Sequence, residues 1–242
     1  MAMDPRSSVF GQQRLGAVDQ AQIDEGLRAY MLGVYNYMAG GLAVSGIIAY
    51  FVSASPTILT TIYTNTALTW IVMLAPLAFI LAISFGIRKM KASTVQVLYW
   101  AFAITMGISL SSIFVVYTSA SIARVFFITA ATFGAMSLYG YTTKKDLSGM
   151  GSFLIMGLIG LIVASVVNIF LASSAMAFAI SVIGVLIFAG LTAYDTQRIK
   201  NDYLQMAHAG DQEWLGKAAV MGALSLYLDF INMFMMLLQL LG

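Results

Sequence analysis

Seven long apolar runs constrain what this chain can fold into. A helix needs about 20 predominantly apolar residues to cross about 30 Å of hydrocarbon. Runs of that length lie near residues 29–52, 67–88, 94–117, 121–141, 150–172, 176–198 and 218–241. Only 9% of the residues are charged, against roughly 25% in soluble domains. We therefore predict an all-α polytopic membrane protein with seven transmembrane helices and the lipid bilayer as its first partner.

The remaining sequence leaves little room for a second domain. Residues 1–28 mix both charge signs with little periodicity, and we predict a polar N-terminal tail there. No apolar stretch directly follows the basic start, so a cleaved signal peptide is not expected. Residues 29–242 are predicted to form one transmembrane domain.

The placement of basic residues predicts the orientation. Lysines and arginines cluster in the tail and in alternate loops, whereas the opposite loops carry no charge; the cluster comprises Arg6, Arg14, Arg28, Arg88, Lys89, Lys91, Lys144, Lys145, Arg198, Lys200 and Lys217. Arg124 is the exception. Cytoplasmic loops carry such an excess, so we predict a cytoplasmic N-terminus and an outside C-terminus. The chain has no basic face for nucleic acid.

Several kinds of chemistry lack the residues they need. The chain has no cysteine, which excludes disulfides and thiolate metal sites, and its one histidine, His208, lies in a polar loop where we expect it to be solvated. The apolar runs contain no histidine for a Ser, His and Asp triad, and no phosphate-binding lysine loop is visible. We expect neither an enzyme nor a resident cofactor.

One carboxylate stands in the middle of the last apolar run. Asp229 has no basic residue within a turn or two along its helix, and an ionised aspartate in a membrane helix costs roughly 2.5–3.5 kcal/mol on insertion scales. Ser225, Asp229, Asn232 and Met236 share one stripe of the helix. We predict that this stripe faces the bundle interior or a water-filled cavity, with Ser225 and Asn232 as polar pore-lining residues.

A second acidic residue comes within reach when depth is considered. Asp229 is expected about 9 Å inside the cytoplasmic boundary, and Asp195 about one turn inside it, near the end of the sixth span. Arg88, at the end of the second span, is expected at a similar depth as a cationic partner for both. Alternatively, Asp195 is an interfacial carboxylate that pairs with Arg198 or Lys200 at helical spacing.

Two carboxylates beside one arginine form a coupled titrating unit, so we predict that they sense pH. When deprotonated, Asp195 and Asp229 also offer the hard oxygen ligands that Ca²⁺ prefers, although the ion takes six to eight ligands and carbonyls or waters must supply the rest. The sequence shows no acidic cluster that would make a high-affinity Ca²⁺ cage.

Three segments carry a family resemblance. The strings GAMSLYGYTTKKDLSGMG, GLTAYDTQRIK and GALSLYLDFINMF resemble the hallmark segments of the Bax inhibitor-1 family, and its bacterial branch most closely. The resemblance runs from about residue 28 to the end of the chain. It implies six helices around a central C-terminal helix, a pH-dependent Ca²⁺ leak and a location in the bacterial inner membrane. It also implies that Asp195 and Asp229 form the pH sensor and that Arg88, matched by position, contacts the pair.

Three functions remain open at this stage. The leading prediction is a pH-gated, calcium-permeable leak channel in which Asp195, Asp229 and Arg88 form the gate and Ca²⁺ and protons are the ligands. The second is a regulator without transport of its own that binds a membrane protease or another channel. The third is proton-coupled Ca²⁺ exchange, which uses the same aspartates and cannot be separated from a leak by sequence.

Overall fold

A computed structural model describes the backbone of residues 5–206 and 211–242, with the side chains of residues 23–206, 211 and 213–242. Within this part of the chain the secondary structure is helical and contains no strand. The helices are α1 (Pro5–Ser53), α2 (Pro56–Thr64), α3 (Thr66–Gly86), α4 (Ala92–Leu110), α5 (Ile113–Val116), α6 (Ser119–Thr142), α7 (Ser148–Leu171), α8 (Ser174–Met206) and α9 (Gln212–Leu241). His208 lies outside the described residues.

Seven helical segments are long and apolar enough to cross a membrane, which confirms the predicted fold class. They cover residues 23–53, 66–86, 92–116, 119–142, 148–171, 174–206 and 213–241, with α4 and α5 together forming the third. Two differences lie in regions predicted as tail or loop. α1 is already helical from Pro5, and α8 continues eight residues past the predicted end at residue 198.

Local sequence explains where several helices begin and end. The Asn65 side chain accepts hydrogen bonds from the backbone N–H groups of Ala67 and Leu68 and so caps α3. The Asp211 side chain caps α9 in the same way through Trp214 N–H. α7 ends where Ala172 adopts a left-handed conformation, with φ of 48°.

The C-terminal helix α9 forms the most buried of the seven apolar spans. Half of its apolar span is buried inside the protein, against 11% for α3 and for α7. α9 packs against α1, α4, α6 and α8. α3 packs mainly on α4, and α7 packs on α8. α3 and α7 therefore present most of their apolar surface outward, as lipid-facing helices do.

One end of the bundle gathers most of the basic turns, and we call it the basic end. It comprises the α3–α4 and α6–α7 turns, which hold Lys89, Lys91, Lys144 and Lys145, together with the adjoining ends of α8 and α9. Contacts tie these parts together, since Gly216 faces Ala92 across α9 and α4, and Gln197 of α8 binds the α6–α7 turn. At the opposite end, Gly242 packs on Tyr117.

Buried hydroxyl groups join the helices around α9. Ser45 of α1 donates to the Ala103 carbonyl of α4 at 2.6 Å, and its hydroxyl lies 2.7 Å from the Tyr227 hydroxyl of α9. Because the alternative in a membrane is an unsatisfied polar group, such bonds fix the packing of the three helices.

Candidate functional site

The register of α8 and α9 brings Asp195 and Asp229 to the same level. The helices run antiparallel, with Ser181 donating to Gln239 at 2.7 Å near one end and Arg198 donating to Ser225 at 3.2 Å near the other. Asp195 is three residues before Arg198 on α8, and Leu228 is three residues after Ser225 on α9. In antiparallel helices these two positions are level, so Asp195 lies level with Leu228, the residue before Asp229. Both aspartates are buried, with 8% and 5% of their surface exposed.

Arg198 is the cation of this site. Its Nη2 atom lies 3.2 Å from Asp195 Oδ1, three residues back on the same helix, and also donates to Ser225 on α9. The side chain is 41% exposed, and its guanidinium lies over the Tyr194 ring at 5.7 Å. An arginine that contacts a buried carboxylate while reaching solvent links the site to the aqueous side.

Asp229 is the less compensated of the two carboxylates. Its Oδ2 atom is buried and has no hydrogen-bond partner among the residues that the structure describes. The charges of Asp195 and Arg198 act on it directly, which places both within electrostatic reach. A buried carboxylate oxygen without a donor is costly unless a proton, a water or a cation reaches it. The lack of a hydrogen-bond donor to this carboxylate oxygen is therefore the main chemical feature of the site.

A third carboxylate belongs to the same surface of α8. Asp202 interacts electrostatically with both Asp195 and Arg198. The spacing of residues 195, 198 and 202 puts the three side chains on one face of the helix. Asp202 lies beyond residue 198, where the sixth apolar run ends, so the hydropathy pattern did not bring it into the site. α8 continues past that run to Met206.

The predicted contact of Arg88 with the aspartates is absent here. Arg88 lies in the turn after α3, is exposed, and has no hydrogen bond or ion pair within the described part of the chain. α3 packs mainly on α4 and α2 rather than on the helices that carry the pair. Arg198 is instead the cation next to the pair. The ion pair between Asp195 and Arg198 is the contact that the alternative interpretation of Asp195 predicted. A role for Arg88 in another conformation stays a prediction.

The other two predicted polar residues differ in their surroundings. Ser225 accepts the hydrogen bond from Arg198 and so belongs to the site. Asn232 donates to the Leu228 carbonyl of its own helix at 2.8 Å, one turn back. A pore-lining role for either residue is not tested by these contacts.

The donor set limits what metal this site could hold. The described residues contain no group of three or more histidine, cysteine or acidic side chains arranged to bind a metal ion. Asp195 and Asp229 together supply four carboxylate oxygens, and one of these already binds Arg198. Such a set suits transient contact with a hard cation that keeps several waters, rather than a closed high-affinity site.

Hydroxyl groups support the helix behind Asp195. Thr196 lies 2.9 Å from Ser137 of α6 through their hydroxyl oxygens, and Ser137 in turn lies 2.5 Å from the Tyr35 hydroxyl of α1. Thr196 also donates to the Thr192 carbonyl. The chain of hydroxyls joins α8 to α1 and α6.

Comparison with known proteins gives one family. The sequence model described as inhibitor of apoptosis-promoting Bax1 matches residues 27–242, which is nearly the whole described part of the chain. The match begins close to residue 28, where the three-segment resemblance begins.

Relatives of similar length occur in several bacteria. An uncharacterized protein of Caulobacter vibrioides is 50% identical over 228 residues, covering 91% of this chain and 90% of its own. The uncharacterized protein RP147 of Rickettsia prowazekii is 49% identical and covers 90% and 91%. The inner membrane protein YbhL of Escherichia coli is 46% identical over 238 residues, covering 98% and 97%.

Proposed function

Since the chain belongs to the Bax inhibitor-1 family, we propose that it is a pH-sensitive, calcium-permeable leak channel of the membrane. The gate is the Asp195 and Asp229 pair, with Ca²⁺ as the transported ion. The observation that carries the proposal is the buried Asp229 oxygen without a hydrogen-bond donor, held within electrostatic reach of a second carboxylate.

A shared proton is the proposed switch. Two carboxylates beside one arginine carry a different net charge with and without one bound proton, and they titrate as a unit. With a proton between them, one carboxyl can donate to the other and hold α8 against α9. Without it, two like charges face each other in a poorly solvated place and repel. The proton therefore changes how tightly α8 and α9 pack.

The proposed location follows from the sequence and from one relative. The Escherichia coli relative is named an inner membrane protein, and this chain has seven helices able to span a membrane. We propose the bacterial inner membrane for this protein also. The excess of lysine at the basic end supports a cytoplasmic position for that end, and we propose that the N-terminus lies on the same side.

Calcium flux in liposomes tests the proposal. The purified protein is reconstituted, and Ca²⁺ entry is recorded with an internal dye between about pH 6 and about pH 8. Asp→Asn replaces a carboxylate with a neutral group of the same shape, as protonation does. We therefore expect Asp195→Asn and Asp229→Asn to remove the pH dependence and to hold the flux near the wild-type value at about pH 6.

The control is Asp24→Asn, which removes an exposed carboxylate of α1 at the basic end. We expect it to keep the wild-type pH profile. Absence of flux in the folded wild-type protein would disprove the channel. Copurification of a membrane protease from native membranes would then favour a regulator without transport, and uphill Ca²⁺ accumulation driven by a proton gradient would indicate exchange.

A further inference from the structure

A polar cavity lies at the basic end, on the face of α8 opposite the aspartates. Its volume is about 520 Å³, and it opens between the α6–α7 turn and the end of α8. Three lysines line it, Lys144, Lys145 and Lys200, with Asp146 as the one acidic lining residue. The cavity therefore has an excess of positive charge and offers several hydrogen-bond donors.

Hydrogen bonds from buried and capping groups shape this cavity. Gln197, only 7% exposed, donates to the Lys145 carbonyl and accepts from Leu147 N–H, each at 2.8 Å. Asp146 accepts from Ser148 N–H at 2.9 Å, so its charge is engaged at the start of α7. The turn that carries Lys144 and Lys145 is thus fixed to α8 before any ligand binds.

The lysines are available to an anion. Neither Lys144 nor Lys145 has a carboxylate within ion-pair distance among the described residues. Lys200 donates to the Tyr141 carbonyl at 2.7 Å, and its ammonium lies 5.4 Å from the centre of the Tyr141 ring. An ammonium group has three donors, so Lys200 keeps two for a ligand.

The depth of the cavity matches the headgroup layer of a bilayer. α8 has 33 residues, about 50 Å at 1.5 Å per residue, which exceeds the hydrocarbon thickness of about 30 Å. The charged residues of α8 all lie near its end, at Asp195, Arg198, Lys200 and Asp202, so the excess length is expected there, at the level of lipid phosphates. Basic pockets between helices at this level are typical sites for anionic headgroups.

An apolar groove adjoins the cavity at Tyr141. The groove measures about 540 Å³, runs between α1 and α6, and is lined by apolar side chains that include Met31, Leu32 and Phe133. Tyr141 lines this groove, while the next residue, Thr142, lines the basic cavity. Arg28 adds a positive charge to the groove. The two cavities thus place cationic groups next to an apolar groove.

We propose that these adjoining cavities bind one anionic phospholipid. Its phosphate contacts Lys144, Lys145 and Lys200, and one acyl chain lies in the groove between α1 and α6. Because Gln197 joins the lysine turn to α8 two residues from Asp195, the bound lipid also braces the helix that carries the aspartates. The binding site itself does not depend on the proposed channel function.

Lipid binding to the purified full-length protein tests the site. Native mass spectrometry measures the affinity for phosphatidylglycerol and for phosphatidylcholine, and we expect a clear preference for the former. Lys144→Gln with Lys145→Gln, and Lys200→Gln, should each weaken phosphatidylglycerol binding by about fivefold per lysine. Glutamine at position 200 can still donate to the Tyr141 carbonyl, so that variant should remain folded.

Matched variants separate the site from general surface charge. Lys89→Gln with Lys91→Gln removes two lysines of the α3–α4 turn, at the same end but outside the cavity. We expect it to leave the affinity unchanged. Equal loss in both double variants, or equal binding of the two lipids by the wild type, would overturn the proposal.

A groove variant distinguishes a lipid from a soluble phosphate. A side-chain carbon at Gly134, which lines the groove, would meet no other atom within 4 Å. Gly134→Leu should therefore fill the groove and weaken phosphatidylglycerol binding, while Gly46→Leu, an equally open position of α1, should not. If glycerol phosphate binds as tightly as the lipid and Gly134→Leu has no effect, the cavity binds a soluble phosphate and the lipid proposal is wrong.

Discussion

Arg198 of α8 donates to Ser225 of α9 at 3.2 Å, so a single side chain that pairs with Asp195 also holds the neighbouring helix. The bond between Ser181 and Gln239 joins the same two helices near their other end. The two aspartates lie between these bonds. Any change in charge at the aspartates therefore acts on a helix pair that is bonded on both sides of them, about one turn away at Arg198 and several turns away at Ser181.

Arg198→Gln should destabilise the protein and change the pH profile of flux. The substitution leaves Asp195 buried without its ion pair, and breaking such a pair costs several kcal/mol when it is fully buried. Because Arg198 is 41% exposed, we expect a smaller loss, about 1–3 kcal/mol. Thermal unfolding in detergent measures the loss, and Ca²⁺ flux against pH measures the effect on the proposed gate.

Ser225→Ala is the matched variant, because it removes the bond to α9 and leaves the ion pair intact. We expect it to cost about 0.5–1.5 kcal/mol and to preserve the pH profile. If Arg198→Gln retains both wild-type stability and wild-type pH dependence, Arg198 is not the cation that compensates the pair.

The sequence was sufficient to predict the spans and the two aspartates, and insufficient to choose their partner. Apolar runs indicate which residues enter lipid. These runs form helices because every backbone group in lipid must bond within its helix. Asp229 stood out for the same reason, as a charge where charge is costly. Arg88 was a candidate by depth and Arg198 by helical spacing to Asp195, and the packing of α3 on α4 rather than on α8 separates them. Neither depth nor composition specifies which helices touch.

Close helix contacts were also beyond sequence reasoning, and Gly140 is the clearest case. A side-chain carbon at Gly140 of α6 would lie far inside contact distance of the Ala193 backbone of α8. Small residues allow such approaches in membranes, yet the sequence has 21 glycines and their spacing does not tell which of them lie at close helix contacts.

Gly140→Ala should therefore force α6 and α8 apart near the site. We expect a loss of about 1–3 kcal/mol, as for other overpacked positions, read from the thermal unfolding midpoint. Gly134→Ala on the same helix is the control, since its added carbon meets nothing within 4 Å and alanine is the better helix former. It should be neutral or slightly stabilising. Equal effects of the two variants would contradict the close contact.

Gln197→Ala should loosen the α6–α7 turn. The change removes the acceptor for Leu147 N–H, a group of a residue only 5% exposed, and leaves it unsatisfied at a cost of about 1–3 kcal/mol. Hydrogen exchange of residues 143–148 should become faster, while exchange in α3 stays unchanged. Asn201→Ala, an exposed neighbour on α8, is the control. No change in exchange for Gln197→Ala would show that the turn is held by other contacts.

Asp146 provides a pH test outside the membrane-spanning segments. Hydrogen bonds from the Ser148 side chain and backbone lower the pKa of Asp146 from its ordinary value of 3.8. A carboxyl whose pKa is lowered in the folded state stabilises that state above its unfolded pKa, and this contribution is lost as pH falls through the lower folded value.

Asp146→Asn should thus unfold at a lower temperature than the wild type at about pH 6, and the difference should vanish toward about pH 3. Asp24→Asn, at an exposed position of α1, is the control for the removal of a surface carboxylate. A difference for Asp146→Asn that is the same at both pH values would mean that the side chain acts through shape rather than charge, because only the charged form responds to pH.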